Sequence, residues 1–280
     1  MEAKRPHAGL VLLAGLALGA AHTADLLFWT DPATGFATAG PAWARYAVWL
    51  AALALPYLPA RRAAAQPAAL QDQNRPLGVC MLVAGVLLAA AGALALPAAR
   101  AAAQQPALLQ GYGYPPVVVW LDAVLPLLAG LWLAVYGVRA CIGFGLARGR
   151  LAGALAAAVV PLCMLWRLAW RFQFVPASPA RLPCTLRVLS AVAALLFAVV
   201  LLKLFATPGL PCGHTLFAAG SGCFLLCTGL ELVQTLLEAA RGMLALPDLL
   251  AGLGLGALGL CGLVCAWAAC GPDATDADGN

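Results

Sequence analysis

Eight continuously apolar stretches, near residues 9–29, 43–60, 77–97, 116–137, 151–168, 188–206, 215–237 and 249–270, take up most of the chain, separated by connections of at most about twenty residues. A helix needs roughly 20 apolar residues to cross the hydrocarbon of a bilayer, where only helices and closed barrels satisfy every backbone hydrogen bond. Barrel strands alternate apolar and polar residues, whereas these runs are unbroken and rich in Leu and Ala. The pattern predicts an all-α polytopic transmembrane bundle of about eight spans, a single domain over 1–270 followed by a short acidic tail at 271–280. The second and fifth runs are short, with Pro56, Pro59 and Pro161 inside them or at their ends, and are expected to be kinked or re-entrant. If the fifth does not span, seven remain. The first run follows Lys4 and Arg5 and contains Gly19-Ala20-Ala21, as a cleavable signal does. It stays apolar through Leu26, Leu27, Phe28 and Trp29, longer than a signal core, and is expected to remain as a helix.

Composition agrees with that pattern and changes how the charges are read. Of 280 residues, 64% are hydrophobic and 10% charged, a balance of the transmembrane class. In a soluble protein the net charge of +5 would favour a polyanion, but here Lys and Arg are spread through the connections with no long basic run. They act as orientation signals, and no nucleic-acid partner is expected. Up to residue 150, Lys4, Arg5, Arg61, Arg62, Arg75, Arg139, Arg148 and Arg150 fall on the side of the N-terminus and only Arg45 and Arg100 opposite. The N-terminus is therefore expected in the cytoplasm, with the chain in the plasma membrane. Eight spans then put Arg167, Arg171, Arg181, Arg187 and Arg241 outside, against the rule, with Lys203 near the inner face. Seven spans would put the Arg167–Arg187 connection inside and the tail outside. Eight is preferred because early helices set most of the bias. Among the ten cysteines, Cys80, Cys163, Cys223, Cys227, Cys261 and Cys265 lie within apolar runs as small hydrophobes, and Cys184 and Cys212 flank the sixth run on opposite faces, where they cannot pair.

Candidate chemistry lies in the exceptions to apolarity. An ionisable residue inside a span costs roughly 2.5 to 3.5 kcal/mol on insertion scales and should face protein, water or a partner. His22 and Asp25 share a face near the outer end of the first run, Asp122 lies in the outer third of the fourth, and Glu231 lies deep in the seventh. At about 100° per residue, Ser221, Thr228, Glu231, Gln234, Thr235, Glu238 and Arg241 fall within an arc of roughly 160°. That polar face either hydrogen-bonds neighbouring helices or lines a hydrated cavity. Glu231, Thr228, Gln234, Thr235, Asp122, His22 and Asp25 are the candidate cavity residues. With eight spans, His22, Asp25, Asp31, Arg45, Asp122, Arg167, Arg171, Glu231, Glu238 and Arg241 gather toward the outer end. The segment Trp166-Arg167-Leu168-Ala169-Trp170-Arg171-Phe172-Gln173-Phe174 interleaves aromatics and arginines as an interfacial anchor does, and Arg167 and Arg171 suit anionic lipid phosphate.

Other matches fail on context. Gly254-x-Gly256-x-x-Gly259 lies inside an apolar run with no preceding strand, so its use is helix packing, with Gly252 and Gly256 four apart, and no cofactor is expected. Cys223/Cys227 and Cys261/Cys265 are i,i+4 pairs better read as packing than as soft-metal ligands, and no metal site is assigned. Walker, HExxH, GxSxG and DxDxDG patterns are missing.

The Asp31-Pro32-x-Thr34-Gly35-Phe36 turn, and the Trp166–Phe174 segment followed by a Pro-rich connection, resemble features of multi-pass membrane proteins of anaerobic Gram-positive gut bacteria. The resemblance implies a location and no activity. Two functional classes follow from the residues: a transporter-like or solute- or lipid-binding membrane component using the acidic residues, or a structural or regulatory subunit without a solute site. An intramembrane enzyme on lipid-linked substrates would need His22, Asp25 and Asp122 as its acid–base groups. The expected partners are the bilayer and a further membrane protein.

Overall fold

The computed structural model describes residues 6–70, 73–104, 116–142, 154–173, 181–207 and 210–273. Its elements are helices α1 (Ala8–Phe28), α2 (Ala42–Ala54), α3 (Tyr57–Ala60), α4 (Arg75–Gln104), α5 (Pro116–Ile142), α6 (Ala154–Ala157), α7 (Val159–Gln173) and α8 (Leu182–Ala206). The long helix α9 (Gly213–Ala240) and the last, α10 (Leu246–Ala269), complete the bundle. Six of these, α1, α4, α5, α8, α9 and α10, are long and apolar enough to cross a membrane. The chain is thus a multi-pass, all-α protein of membrane type. Only isolated bridges of β type occur among the described residues.

The two short runs are the broken ones. The α2–α3 run stops at Pro56, which has no N–H to continue the ladder, and restarts at Tyr57. The α6–α7 run breaks at Ala158, and Pro161 falls in the first turn of α7, where its missing donor costs nothing. Both still take part in a regular alternation between two ends of the bundle. One end carries the α1–α2 connection, bridged from Phe36 to Arg181 just before α8, with the last turn of α9 beside it, where Arg241 reaches the Leu26 carbonyl. At this end, too, Asp122 of α5, Arg167 of α7 and Asp248 of α10 line one cavity. At the opposite end the connection after α3 is stitched to the chain's C-terminal part. Ala64 N–H donates to Ala269 (2.9 Å) and Gly213 N–H to Ala65 (2.9 Å), while the Asp273 carboxylate accepts from the Ala65 and Gln66 amides at 2.8 and 3.1 Å. Going by these ties, α7 ends where α5 begins, so the described residues make eight passes between the two ends, six of them on helices long enough to cross a membrane.

The tightest packing is between α4 and α5. Gly78, Gly85 and Gly92 recur every seven residues on α4, and Gly130 and Gly137 on α5. The helices run antiparallel so that Gly78 faces Gly137, Gly85 faces Gly130 and Gly92 faces Ala123. A Cβ at Gly78, Gly85 or Gly92 would stand 2.7, 2.6 and 2.6 Å from the carbonyl oxygen opposite, distances only glycine permits. The expected glycine packing in α10 is of a second kind. Gly252, Gly256 and Gly259 receive the side chains of Thr235, Leu232 and Thr228 from α9, with Cys223 O also within 3.0 Å of a Cβ at Gly259.

Helix α9 is the most buried of the long helices. Between Phe224 and Leu232 its bonding loosens from the α to the π pattern, which turns the chain less per residue and is common at functional positions. Thr228 and Glu231 lie in this segment.

Candidate functional site

The polar end is built by three elements. At the end of α1 the Thr30 hydroxyl folds back onto the Asp25 carbonyl (3.1 Å), and the chain enters the Asp31–Phe36 turn. Asp31 organises that turn: its carboxylate accepts from the Thr34 hydroxyl and from the Ala33 N–H at 3.1 Å, while Gly35 N–H donates to the Asp31 carbonyl at 2.8 Å. The Thr34 and Ala33 donors hold the Asp31 carboxyl below the usual carboxylate range. Gly35 has φ of 73°, the left-handed region in which glycine is at ease. Its carbonyl takes the Leu182 N–H of α8 at 3.0 Å, and the Arg181 guanidinium lies 5.7 Å over the Phe36 ring. The turn is thus tied down onto the start of α8.

The last turns of α9 form the other wall. The Gln234 amide donates to Glu238 at 2.9 Å and, at the limit of hydrogen bonding, to the Pro183 carbonyl at 3.5 Å. Glu238 gives its second oxygen to an ion pair with Arg187 of α8. Gln234 is 1% exposed, and its side chain also meets the buried His22 imidazole of α1. Arg241 spends a single long contact, 3.4 Å, on the Leu26 carbonyl. Between turn, α8 and α9 lies a cavity of about 160 Å³, lined on its polar side by Asp31, Thr34, Arg181, Gln234, Glu238 and Arg241.

The remaining candidates are distributed around this cavity rather than in it. Asp25 binds Arg45 of α2 through both carboxylate oxygens, with N–O distances of 2.7–2.9 Å, and Arg45 also donates to the Ala39 carbonyl. His22 is buried edge-on to Trp49, ring centroids 5.9 Å apart. Glu231 lies about 10 Å deeper than Glu238, at about 1.5 Å per residue. It is 2% exposed and accepts the hydroxyl of Ser190, whose carbonyl takes the Cys227 thiol at 3.3 Å. Thr228 donates to the Gly256 carbonyl of α10 at 2.7 Å, and Thr235 packs on Gly252. The predicted polar arc is therefore shared between α8 and α10, with Gln234, Glu238 and Arg241 as its members at the cavity.

Asp122 and Arg167 lie apart, in a second cavity of about 100 Å³ that Asp248 and Pro247 of α10 help to line. The Arg171 side chain lies outside the described residues. No three His, Cys, Asp or Glu residues stand close enough to hold a metal among the described residues, and the ten cysteines are free thiols. Sequence reasoning included Arg45, Asp31 and Glu238 in the outer group, but not Ser190, nor Arg181 as a wall residue and Arg187 as the partner of Glu238. The signal for the latter two was their position at the start of α8, directly opposite the acidic last turns of α9.

With this geometry in hand, the chain matches no known family model, no curated protein and no solved structure. Fold and site define a class: a polytopic helical membrane protein with a charged, cavity-bearing end.

Proposed function

We propose that this chain is a transporter-like, plasma-membrane protein that binds a small polar solute or a lipid headgroup in the cavity between the Asp31–Phe36 turn, α8 and α9. The N-terminus is cytoplasmic and the cavity opens on the outer face, which is supported by the excess of Lys and Arg on the N-terminal side of the first four runs. One observation carries the reading: a cavity of about 160 Å³ on which two arginines, Arg181 and Arg241, converge with the Asp31 and Glu238 carboxylates. A concave site with a few convergent polar groups is the usual form of a small-molecule site. A structural subunit without a solute site is the second reading. It is favoured by Glu231, Thr228 and Asp25, each of which is held by a neighbouring helix. An acid–base enzyme draws least support, since His22 packs on Trp49 while Asp122 lines the other cavity.

Cys184 lines the first cavity and is half-buried. In a variant with Cys80, Cys141 and Cys270 changed to Ser, a membrane-impermeant maleimide should label Cys184 from outside intact cells. A panel of amino acids, phosphate esters and amines should then contain solutes that slow labelling. Labelling only after permeabilisation would reverse the orientation, and a rate unmoved by the whole panel and by lipid composition would leave the structural reading.

A further inference from the structure

At the end of the bundle opposite the charged turn, the start of α4 and the last turns of α10 enclose an open groove of about 350 Å³, lined by Leu263, Val264, Trp267, Pro76 and Ala69. Asn74 lines it too, but both halves of its side chain are engaged. Its Oδ1 accepts the Leu77 N–H at 3.0 Å and its Nδ2 donates to the Ala69 carbonyl at 3.1 Å. The groove therefore offers hydrocarbon, and an apolar occupant gains most by entering it. On the scale by which a cavity of about 150 Å³ accepts benzene, it has room for roughly a dozen carbon atoms. Trp267 is 59% exposed and stands two residues before the end of α10, the level at which tryptophan meets the boundary between hydrocarbon and water. Leu263 lies about 6 Å deeper, at about 1.5 Å per residue. The groove thus runs from that boundary into the hydrocarbon, as an acyl chain does.

Beside it the charge is positive. Arg75 opens α4 between the lining residues Asn74 and Pro76, is exposed, and has no carboxylate partner among the described residues. Arg61 and Arg62 are exposed at the same end, with Arg139 and Lys203 in the last turns of α5 and α8. Among the described residues only Asp273 stands against them, and its carboxylate is taken up by the Ala65 and Gln66 amides. That excess of positive charge selects an anionic headgroup, and a guanidinium at a helix N-terminus suits a phosphate. We propose that this groove holds an acyl chain of an anionic phospholipid whose phosphate rests on Arg75. The site lies at the opposite end from the first cavity and stands or falls independently of it.

The test uses the full-length protein in phosphatidylcholine nanodiscs into which phosphatidylglycerol or phosphatidylcholine brominated on the acyl chains is titrated. Bromine quenches indole emission only at short range, and the Trp267 share of the emission is the difference between wild type and Trp267→Phe. Brominated phosphatidylglycerol should quench that share at about fivefold lower mole fraction than brominated phosphatidylcholine, the effect of one arginine close to an anionic lipid. Arg75→Gln, a change at an exposed position, should abolish the preference, whereas the double variant Arg61→Gln/Arg62→Gln should keep most of it. Equal loss in the two variants would mean a diffuse attraction by the whole end and would overturn the site. No preference in wild type would overturn it as well, and so would quenching by neither lipid, which would mean that protein covers the groove.

Discussion

The α4–α5 seam and the charged end of α9 hold helices together by opposite means. Along the seam, backbones meet at glycine with no Asp, Glu, Lys, Arg or His between Gly78 and Gly92, and the energy is close packing over several turns. At the end of α9, two helices and a turn are joined by Arg187–Glu238, Gln234 and the Asp31 hydrogen bonds. The difference shows that one pair of these helices closes without charge. Charge gathers instead at one end, where it ties helices together and lines a cavity.

The comparison breaks most readily at the seam. Gly85→Val would drive a branched side chain into the carbonyl of Gly130, 2.6 Å from where its Cβ must go. Overpacking of this kind costs about 3 kcal/mol or more when the obstacle is backbone. Gly9→Val on α1, where nothing lies within 4 Å, is the matched control. Thermal unfolding of the detergent-solubilised protein should separate the two by many degrees. Equal midpoints would show that the seam yields.

The Asp25–Arg45 pair comes second. Both side chains are mostly buried, 13% and 15% exposed, and joined by two parallel contacts, so Asp25→Ala strands a guanidinium. The expected loss is about 2 kcal/mol, with a double-mutant cycle against Arg45→Gln returning most of it as coupling. No coupling would mean the pair is a bystander to stability. Third is Ser190→Ala, which removes one donor from the buried Glu231 carboxylate and should cost about 1 kcal/mol, in line with side-chain hydrogen bonds between membrane helices. A stabilised variant would argue that Glu231 is held there at a cost, for function.

Much of this was legible beforehand, and the misses have physical causes. Unbroken apolarity marked all eight runs, and short length with proline marked the two that break. The seam was written as glycine every seven residues, but hydropathy treats glycine as neutral and the eye goes to the denser Gly252–Gly259 cluster. The outer group of charges was legible because alternation alone brings those ends together. The sharing of the polar arc between two neighbours was not, because α9 departs from 100° per residue through Phe224–Leu232, so that Thr228 turns to α10 while Glu231 turns to α8. Ser190 carried no signal of its own, being an ordinary residue of a helix until Glu231 is placed against it.

The smallest effect tests how the turn closes the cavity. Asp31 is bonded by Thr34 and Ala33, and its folded pKa lies below the ordinary 3.8. A depressed carboxylate contributes its stability fully at neutral pH and loses it as pH falls through the folded value. The turn should therefore stay ordered through the range in which a free aspartate protonates and loosen only below it. Asp31→Asn keeps an acceptor for Ala33 but loses the charge that strengthens the Thr34 bond, and should show no such acid transition. Gly35→Ala, strained at φ of 73°, costs about 1 kcal/mol and should open the turn at every pH. The rate at which Cys184 forms a mixed disulfide with an acid-tolerant disulfide reagent, releasing the reagent's leaving thiol, reads both. A wild-type rate that stays flat throughout the acid range would mean that the turn is held by the Phe36–Arg181 contact and not by Asp31, and would move the closing of the cavity from a charge to a ring.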